Sequence, residues 1–200
     1  MLTAISAAQL ADYALVVFSG HGFHAQSPTL SETTVCLAGH EEARISELFP
    51  RVRRLLVIAD CCRTVVSVKR AADEAIQAAF ANEARTIDRA TARRNFEQAL
   101  MKCEEGRIVL YACDVHQSAG DDRNTGGCFS SNLLNNAESW AGSSQAGLVL
   151  DVRSDYTLAR QSTTADNYPQ DPQIEAGRRL GYFPFAIGER RTAASTPLYD

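Results

Sequence analysis

Residues 55–63 read LLVIADCCR, a short apolar run that ends abruptly in acidic, thiol and basic side chains. Residues 13–22 have the same form, since the run YALVVF is followed by SGHG. Residues 107–113 (RIVLYAC) make a third run of this kind. Nearly continuous apolar runs of this length are typical of strands that are buried on both faces of a parallel sheet. The three runs therefore predict an α/β fold with a mostly parallel central sheet.

The connection between the second and third runs predicts helical structure. Residues 69–103 carry apolar side chains at spacings of three and four with charges between them, the pattern of an amphipathic helical linker, with a break near Thr91. The polar face of this linker is rich in arginine, and such a face is ordinarily in contact with solvent. Its arginines are Arg70, Arg85, Arg89, Arg93 and Arg94.

The rest of the chain gives weaker signals. Residues 151–200 are predicted to be an irregular C-terminal segment, because the stretch 151–177 is polar and contains prolines. Within that segment, Pro184 restricts residues 182–187 to an edge strand, since proline has no N–H to donate. All elements together predict one domain over residues 1–200. The remaining predictions are a hairpin strand over 33–37, a short helix over 41–49 and a helix over 128–140.

Composition excludes several classes of function. The 200 residues are 45% hydrophobic and 22% charged, the balance of an ordinary globular domain. A net charge of −4 gives no general attraction to nucleic acid or to an anionic membrane. No apolar run approaches the ~20 residues of a membrane span, and the N-terminal residues lack the pattern of a signal peptide. We therefore expect a cytoplasmic protein with six reduced cysteines and no nucleic-acid or membrane partner.

A histidine and a cysteine follow the first two predicted strands. His21 comes after the first strand and Cys62 after the second. Because the carboxyl ends of parallel strands meet at one edge of a sheet, these side chains are expected to face each other across a cleft. An imidazole beside a thiol can balance the proton of a nucleophilic thiolate. The backbone N–H groups of Gly22 and Cys62 would then form an oxyanion hole for acyl transfer.

Two other interpretations of these residues stay open. A lone histidine after a strand is often structural, and a lone buried cysteine is often inert packing. A zinc site is the second alternative, because His24 lies three residues from His21 and His116 lies three residues from Cys113. The spacing of these four side chains differs from the tight knuckles of structural zinc sites, so zinc is the more remote interpretation.

At these motifs the sequence resembles the caspase-like cysteine peptidases, which include caspases, paracaspases, metacaspases and bacterial relatives (peptidase family C14). Residues 19–22 (SGHG) match the histidine motif of metacaspase-type members. Residues 60–64 (DCCRT) align with the cysteine motif Q-A-C-[RQG]-G, and this alignment selects Cys62 rather than Cys61 as nucleophile. The resemblance covers roughly residues 5–187 and suggests a bacterial member. Looser matches lie at residues 112–113, 126–129, 132–134 and 171–174.

The resemblance implies a fold and an activity. The fold is a three-layer sandwich, and the activity is hydrolysis of protein or peptide substrates by Cys62 and His21, without cofactor or metal. Thr64 stands where the family usually has glycine, and residues 24–32 lack the Asp-rich calcium loop of many metacaspases. The chain also starts near the helix before the histidine strand, so the usual N-terminal strands are expected to be missing. Three interpretations of this stay open: the start of the sequence is mis-set, a partner chain or a dimer completes the sheet, or the protein is a reduced variant with an exposed sheet edge. The alternative function is a catalytically silent or partner-dependent interaction module.

Acidic residues near the motifs predict substrate specificity. Asp60 stands where Asp-directed caspases have glutamine, and Asp121 and Asp122 stand about where their substrate loop carries arginine. Carboxylates in the pocket favour a basic P1 side chain, and arginine most of all if two carboxylates grip its planar guanidinium. Which of Asp121 and Asp122 lines the pocket is left open, and both also suit an ordinary turn. A basic specificity would make the arginines of the 69–103 linker candidate self-cleavage sites.

Overall fold

The computed structural model describes residues 11–27, 30–39, 41–65, 89–122, 126–141, 149–165 and 169–188. The described elements are short strands and three α-helices. In chain order the strands are β1 (Tyr13–Ser19), β2 (Gly22–Ser27), β3 (Leu30–Cys36), β4 (Glu42–Arg44), β5 (Arg54–Asp60), β6 (Gly106–Tyr111), β7 (Asp121–Asp122), β8 (Gly126–Gly127), β9 (Val149–Asp151), β10 (Gln173–Glu175) and β11 (Pro184–Ile187). The helices are α1 (Arg89–Leu100), α2 (Cys128–Ala141) and α3 (Val152–Ala165), and a 3-10 turn spans Ile45–Leu48.

A four-stranded sheet forms the centre of the structure. Its strand order is β1-β5-β6-β10. β1, β5 and β6 are parallel, and β10 pairs with β6 in the antiparallel direction. Every residue of β5 is buried, as its unbroken apolar sequence requires for a central strand covered on both faces. The three strands predicted from the apolar runs, and the α/β class they imply, are confirmed.

The two faces of this sheet are covered differently. Because side chains alternate along a strand, Leu56 and Ile58 of β5 point to one face, and Leu55 and Val57 point to the other. The first face packs against the three helices and the strand β11 through a shared apolar core. The second face packs against the antiparallel sheet β2-β3-β4 and the 3-10 turn. The larger buried side chains of the first core are Leu56, Ile108, Leu110, Phe129, Leu133, Tyr156 and Phe183.

Several predicted elements agree with the structure, and two do not. The helix over 128–140 is confirmed as α2, and the hairpin strand over 33–37 corresponds to the C-terminal part of a longer strand, β3, which ends at Cys36. The short helix over 41–49 is wrong, because this stretch holds β4 and the 3-10 turn. Hydrogen bonding to β3 there outweighs the local helical pattern.

The irregular segment predicted over 151–177 is also wrong in large part, since α3 occupies Val152–Ala165. This helix buries only one narrow stripe of side chains, so its exposed polar residues dominate the sequence and hide its periodicity. The edge strand predicted over 182–187 is present as β11, which pairs with β9 outside the central sheet. α1 runs without interruption through Thr91, where a break was predicted. Residues 69–88 of the linker lie outside the described residues.

β1 lies at the edge of the central sheet within the described residues, where it pairs with β5 alone. The side chains of Leu15 and Val17 on this edge strand are 49% and 46% exposed. None of the helices in the described ranges is long and apolar enough to cross a membrane.

One buried acid makes the stability of the fold depend on pH. Asp155 lies on the core face of α3, and neither of its carboxylate oxygens has a hydrogen-bond partner among the described residues. Burial, and secondarily the charge of Asp151, raise the pKa of Asp155 from 3.8 to about 8. Between these two pKa values the folded protein holds a proton that the unfolded chain has released. The free energy of unfolding is therefore expected to fall as the pH rises from 3.8 to about 8.

We expect Asp155→Asn to leave stability unchanged near pH 4 and to raise it above pH 8, because the amide removes the buried charge. The difference in unfolding free energy between variant and wild type should grow by up to about 1.4 kcal/mol per pH unit in between. Thermal denaturation from pH 4 to pH 8.5 measures this, with Asp114→Asn on an exposed loop as control. Parallel profiles for Asp155→Asn and the wild type would contradict the assignment.

Candidate active site

The candidate site lies at the carboxyl edge of the central sheet, where β1 and β5 end side by side. Ser19, the last residue of β1, is in register with Asp60, the last residue of β5. The pairing continues one residue further, because the Gly20 N–H donates to the Asp60 carbonyl at 3.0 Å. His21 and Cys62 therefore leave the sheet from adjacent strand ends, as the sequence predicted for them. The structure brings these two segments together.

The two neighbouring cysteines occupy different environments. Cys61 is 1% exposed and belongs to the core between the sheet and the β2-β3-β4 hairpins. Burial raises the pKa of its thiol, so Cys61 is held as an inert thiol. Cys62 is only partly buried, and its Sγ accepts a hydrogen bond from the Ala119 N–H at 3.4 Å. Cys62 is the accessible thiol of the two, and it is thus the one that can reach a substrate.

His21 is exposed at the start of the hairpin that covers the second face of the sheet. Its carbonyl accepts a hydrogen bond from the Cys36 N–H at 2.9 Å, which closes the hairpin under it. The next residue has to be glycine, because a Cβ on Gly22 would lie 2.7 Å from the Cys61 sulfur and 2.9 Å from the Thr34 carbonyl oxygen. Gly22 therefore lets the histidine segment pack directly against the cysteine segment.

Asp60 lies on the opposite side of the strand end from Cys61 and is 3% exposed. Its Oδ2 accepts hydrogen bonds from the Ser130 N–H at 2.8 Å and from the Ser130 hydroxyl at 2.6 Å, both in the first turn of α2. Its Oδ1 is buried without a hydrogen-bond partner among the described residues. Burial raises the pKa of Asp60, the Ser130 hydrogen bonds oppose this, and the Asp121 charge adds to it.

The loop around β7 and β8 closes over Asp60. A Cβ on Gly127 would overlap the Asp60 carboxylate, so glycine is required at this position of β8. Asp121 is exposed on β7, opposite Gly127 in the strand pair, and close enough for its charge to act on Asp60. Asp122 is the next residue of β7 and pairs with Gly126. The structure thus brings Asp60 and the Asp121 segment together, as the sequence predicted.

Arg63, directly after Cys62, has a structural role that the sequence did not reveal. Its buried guanidinium stacks on the Tyr111 ring, 4.1 Å from the ring centroid. It donates to the Thr33 hydroxyl at 3.0 Å and to the Cys113 carbonyl at 3.2 Å. Arg63 therefore fastens the segment that carries Cys62 to the hairpin and to the end of β6.

The loop after β6 is held by two glutamines that sequence reasoning also missed. Gln170 accepts a hydrogen bond from the Gly120 N–H at 2.8 Å and donates to the Ala112 carbonyl at 2.9 Å. The Gln117 side chain accepts the Asp114 N–H at 3.0 Å and the Asp171 N–H at 2.8 Å. No local pattern marks these residues, because their contacts join distant parts of the chain. Only the loose family match at residues 171–174 pointed to this region.

Comparison with known proteins decides the family. The model of the caspase domain, Peptidase_C14, matches residues 1–183. The chain belongs to the caspase-domain peptidase family. A solved structure of a protein from Geobacter sulfurreducens is similar with a TM-score of 0.50 at 18% identity, covering 87% of this chain and 71% of that one. Caspase-1 from Spodoptera frugiperda gives a TM-score of 0.47 at 15% identity, with coverage of 96% and 69%. No curated protein matches the chain.

The alternative zinc site finds no support in this caspase domain. His24 is buried and its Nε2 lies 3.0 Å from the Ser31 hydroxyl. Cys113 is buried, and its thiol is directed at the carbonyls of Cys61 and Gln117. Across the described ranges, no group of three or more histidine, cysteine, aspartate or glutamate side chains is arranged to hold a metal ion.

The contrast between the two cysteines of this caspase domain can be measured by alkylation. We expect iodoacetamide to modify Cys62 at least tenfold faster than Cys61 at neutral pH, because only Cys62 is accessible and its sulfur accepts an N–H. Peptide mapping by mass spectrometry separates the two sites. Cys61→Ala should leave the fast reaction intact, and Cys62→Ala should remove it; the reverse result would assign the nucleophile to Cys61.

Proposed function

We propose that this caspase domain is a cysteine endopeptidase that cleaves after arginine or lysine. The observation that carries the specificity is the Asp60 carboxylate. One of its oxygens is fixed by Ser130, and the other is buried without a hydrogen-bond partner in the described part of the chain. An unpartnered buried carboxylate oxygen is costly unless a donor arrives to meet it. A guanidinium or ammonium group of the substrate would supply that donor.

The proposed chemistry is thiol acyl transfer. The Cys62 thiolate attacks the carbonyl carbon of the scissile peptide bond, and the N–H groups of Gly22 and Cys62 stabilise the oxyanion. His21 carries the proton from the thiol and gives it to the leaving amine as the C–N bond breaks. Water then attacks the thioester, which releases the new carboxylate and restores the thiol. The adjacent ends of β1 and β5 support these roles for His21 and Cys62.

Charge and shape together favour a basic side chain in the pocket. Burial raises the pKa of Asp60 and the nearby charge of Asp121 adds to it, so a cation entering between the two carboxylates would stabilise the charged form of Asp60. Gly127 lets the backbone of β8 approach the carboxylate closely. Arginine can engage two carboxylates through its planar fork, and lysine binds as a single point charge. This specificity is the one expected for metacaspase-type members of the family.

A second candidate function is supported by the edge of the sheet. β1 pairs on one side only within the described residues, and Leu15 and Val17 beside this edge are about half exposed. An open apolar edge strand is a site at which another strand adds to a sheet. A partner chain that completes the sheet would make this protein a partner-dependent enzyme or a silent interaction module.

Reporter peptides test the proposed activity. We expect hydrolysis of peptides with arginine or lysine at P1, little hydrolysis of matched aspartate peptides, and complete loss of activity in Cys62→Ala. His21→Ala should reduce kcat by about 10²–10⁴-fold, the usual contribution of a general acid–base residue. Preferential cleavage after aspartate would contradict the specificity. No reaction of Cys62 with an arginine-directed electrophilic probe would favour the silent module instead.

Asp60 can be tested separately from the catalytic pair. Asp60→Asn keeps the Ser130 hydrogen bonds through its amide oxygen but removes the charge, and we expect kcat/KM for arginine peptides to fall by about 10²-fold, as for a lost charged hydrogen bond. Most of this fall in kcat/KM should come from a higher KM, because the lost charge binds the substrate. Asp12→Asn, at an exposed position just before β1 and away from the site, is the matched control. An unchanged preference for arginine in Asp60→Asn would show that the basic side chain binds elsewhere.

Self-cleavage in the 69–103 linker remains a prediction. Arg70 and Arg85 lie outside the described residues, and Arg89, Arg93 and Arg94 lie on α1. Proteolysis requires an extended backbone, so sites within an intact helix are protected. Because helix ends fray, Arg89, the first residue of α1, is the best placed of the three for cleavage.

A further inference from the structure

A short C-terminal segment lies across the loop that lines the candidate site. We call residues 113–120 the active-site loop. Gln170 is 3% exposed and contacts the loop at both ends: its Nε2 donates to the carbonyl of Ala112, just before the loop, and its Oε1 accepts the N–H of Gly120. A single side-chain amide thus joins the start and the end of the loop, as a neighbouring strand would.

A second glutamine links the same segment to the residue after the nucleophile. The Gln117 side chain accepts the Asp171 N–H at 2.8 Å, and the Gln117 carbonyl accepts the Arg63 N–H at 2.9 Å. The Arg63 carbonyl in turn accepts the His116 N–H at 2.9 Å. Asp171 is itself fixed by a bidentate ion pair with Arg160, at 2.6 and 3.1 Å. The active-site loop is therefore tied both to the nucleophile segment and to residues 170–171.

The loop needs this external support because its own backbone does not favour its shape. His116 has a φ of 74°, in the left-handed region that non-glycine residues adopt at a cost of about 1 kcal/mol or more. At the end of the loop, Ala119 donates its N–H to the Cys62 sulfur, and Gly120 precedes Asp121. The groups that Gln170 holds in place therefore adjoin both the nucleophile and the specificity pocket.

We propose that Gln170 is a positioning residue for the nucleophile and for the substrate pocket. By fixing the Gly120 N–H and the Ala112 carbonyl, it holds the Ala119 N–H against the Cys62 sulfur, where it stabilises the thiolate, and it holds Asp121 near Asp60. Its effect on peptide cleavage rests on the proposed peptidase function. Its effect on the chemical reactivity of Cys62 does not.

The test is Gln170→Met, which keeps the volume of the side chain and removes both hydrogen bonds. Gln173→Met is the matched control, because Gln173 lies in the same segment and its side chain bonds Asp171 rather than the loop. The pH profile of Cys62 alkylation by iodoacetamide is measured for both variants. We expect Gln170→Met to shift the profile to higher pH and to slow alkylation at neutral pH by about tenfold, the effect of one hydrogen bond to a charged group. Gln173→Met should match the wild type.

Peptide cleavage gives the second readout. With an arginine reporter we expect Gln170→Met to lower kcat and to raise KM, since both the nucleophile and the pocket depend on the loop. A lower melting temperature with unchanged alkylation and kinetics would overturn the proposal and leave Gln170 a purely structural residue. If Gln170→Met does not fold, Gln170→Glu decides by the same alkylation profile, because it keeps an acceptor for the Gly120 N–H and loses the donor to the Ala112 carbonyl. A shift in the same direction is expected, and an unshifted profile would overturn the proposal.

The two proposals fail in distinguishable ways. If the wild type cleaves no basic reporter but Gln170→Met still shifts the alkylation profile, the positioning role stands and the proposed function falls. If the wild type cleaves the reporter and Gln170→Met equals it in both readouts, the proposed function stands and the positioning role falls.

Discussion

The parallel pairing of β1 with β5 is the constraint on which the candidate site depends. Seven residue pairs, from Tyr13 with Arg54 to Ser19 with Asp60, bring the two strands to the same edge of the sheet. His21 and Cys62 follow these ends within two residues, so the register of the strands sets where both begin. A slip of one residue would turn the buried side chains of a strand to the wrong face, and the two cores on either side of the sheet prevent this.

Because side chains alternate at the end of β5, the side chains of Asp60, Cys61 and Arg63 lie in three different environments. Asp60 faces α2 and the β8 segment, Cys61 faces the hairpin core, and Arg63 stacks on Tyr111. Asp60 and Arg63 are both buried, and both form hydrogen bonds with neutral partners. Within the described residues, no ion pair therefore competes with a substrate for Asp60. Between these anchors, Cys62 keeps an accessible sulfur.

The sequence-based predictions succeeded where the pattern of a segment and its environment agree. β5 is buried on both faces, and an unbroken apolar run indicates this directly. They failed at residues 41–49 and over α3, where strand pairing or a narrow buried stripe decided the structure. Gln117, Gln170 and Ser130 were missed for a related reason: each acts through a contact with a distant part of the chain, and such a contact leaves no local periodicity.

The sequence by itself determined the three core strands, the placement of His21 and Cys62 after two of them, and the family, because apolar runs and short motifs are local properties. The motif alignment separated Cys62 from Cys61, but only the tertiary structure decided that Cys61 is buried and Cys62 accessible, because burial is not a local property of the sequence. It also decided that one Asp60 oxygen has no hydrogen-bond partner among the described residues and that residues 170–171 hold the active-site loop. Burial and hydrogen bonding between distant segments exist only after the chain has folded.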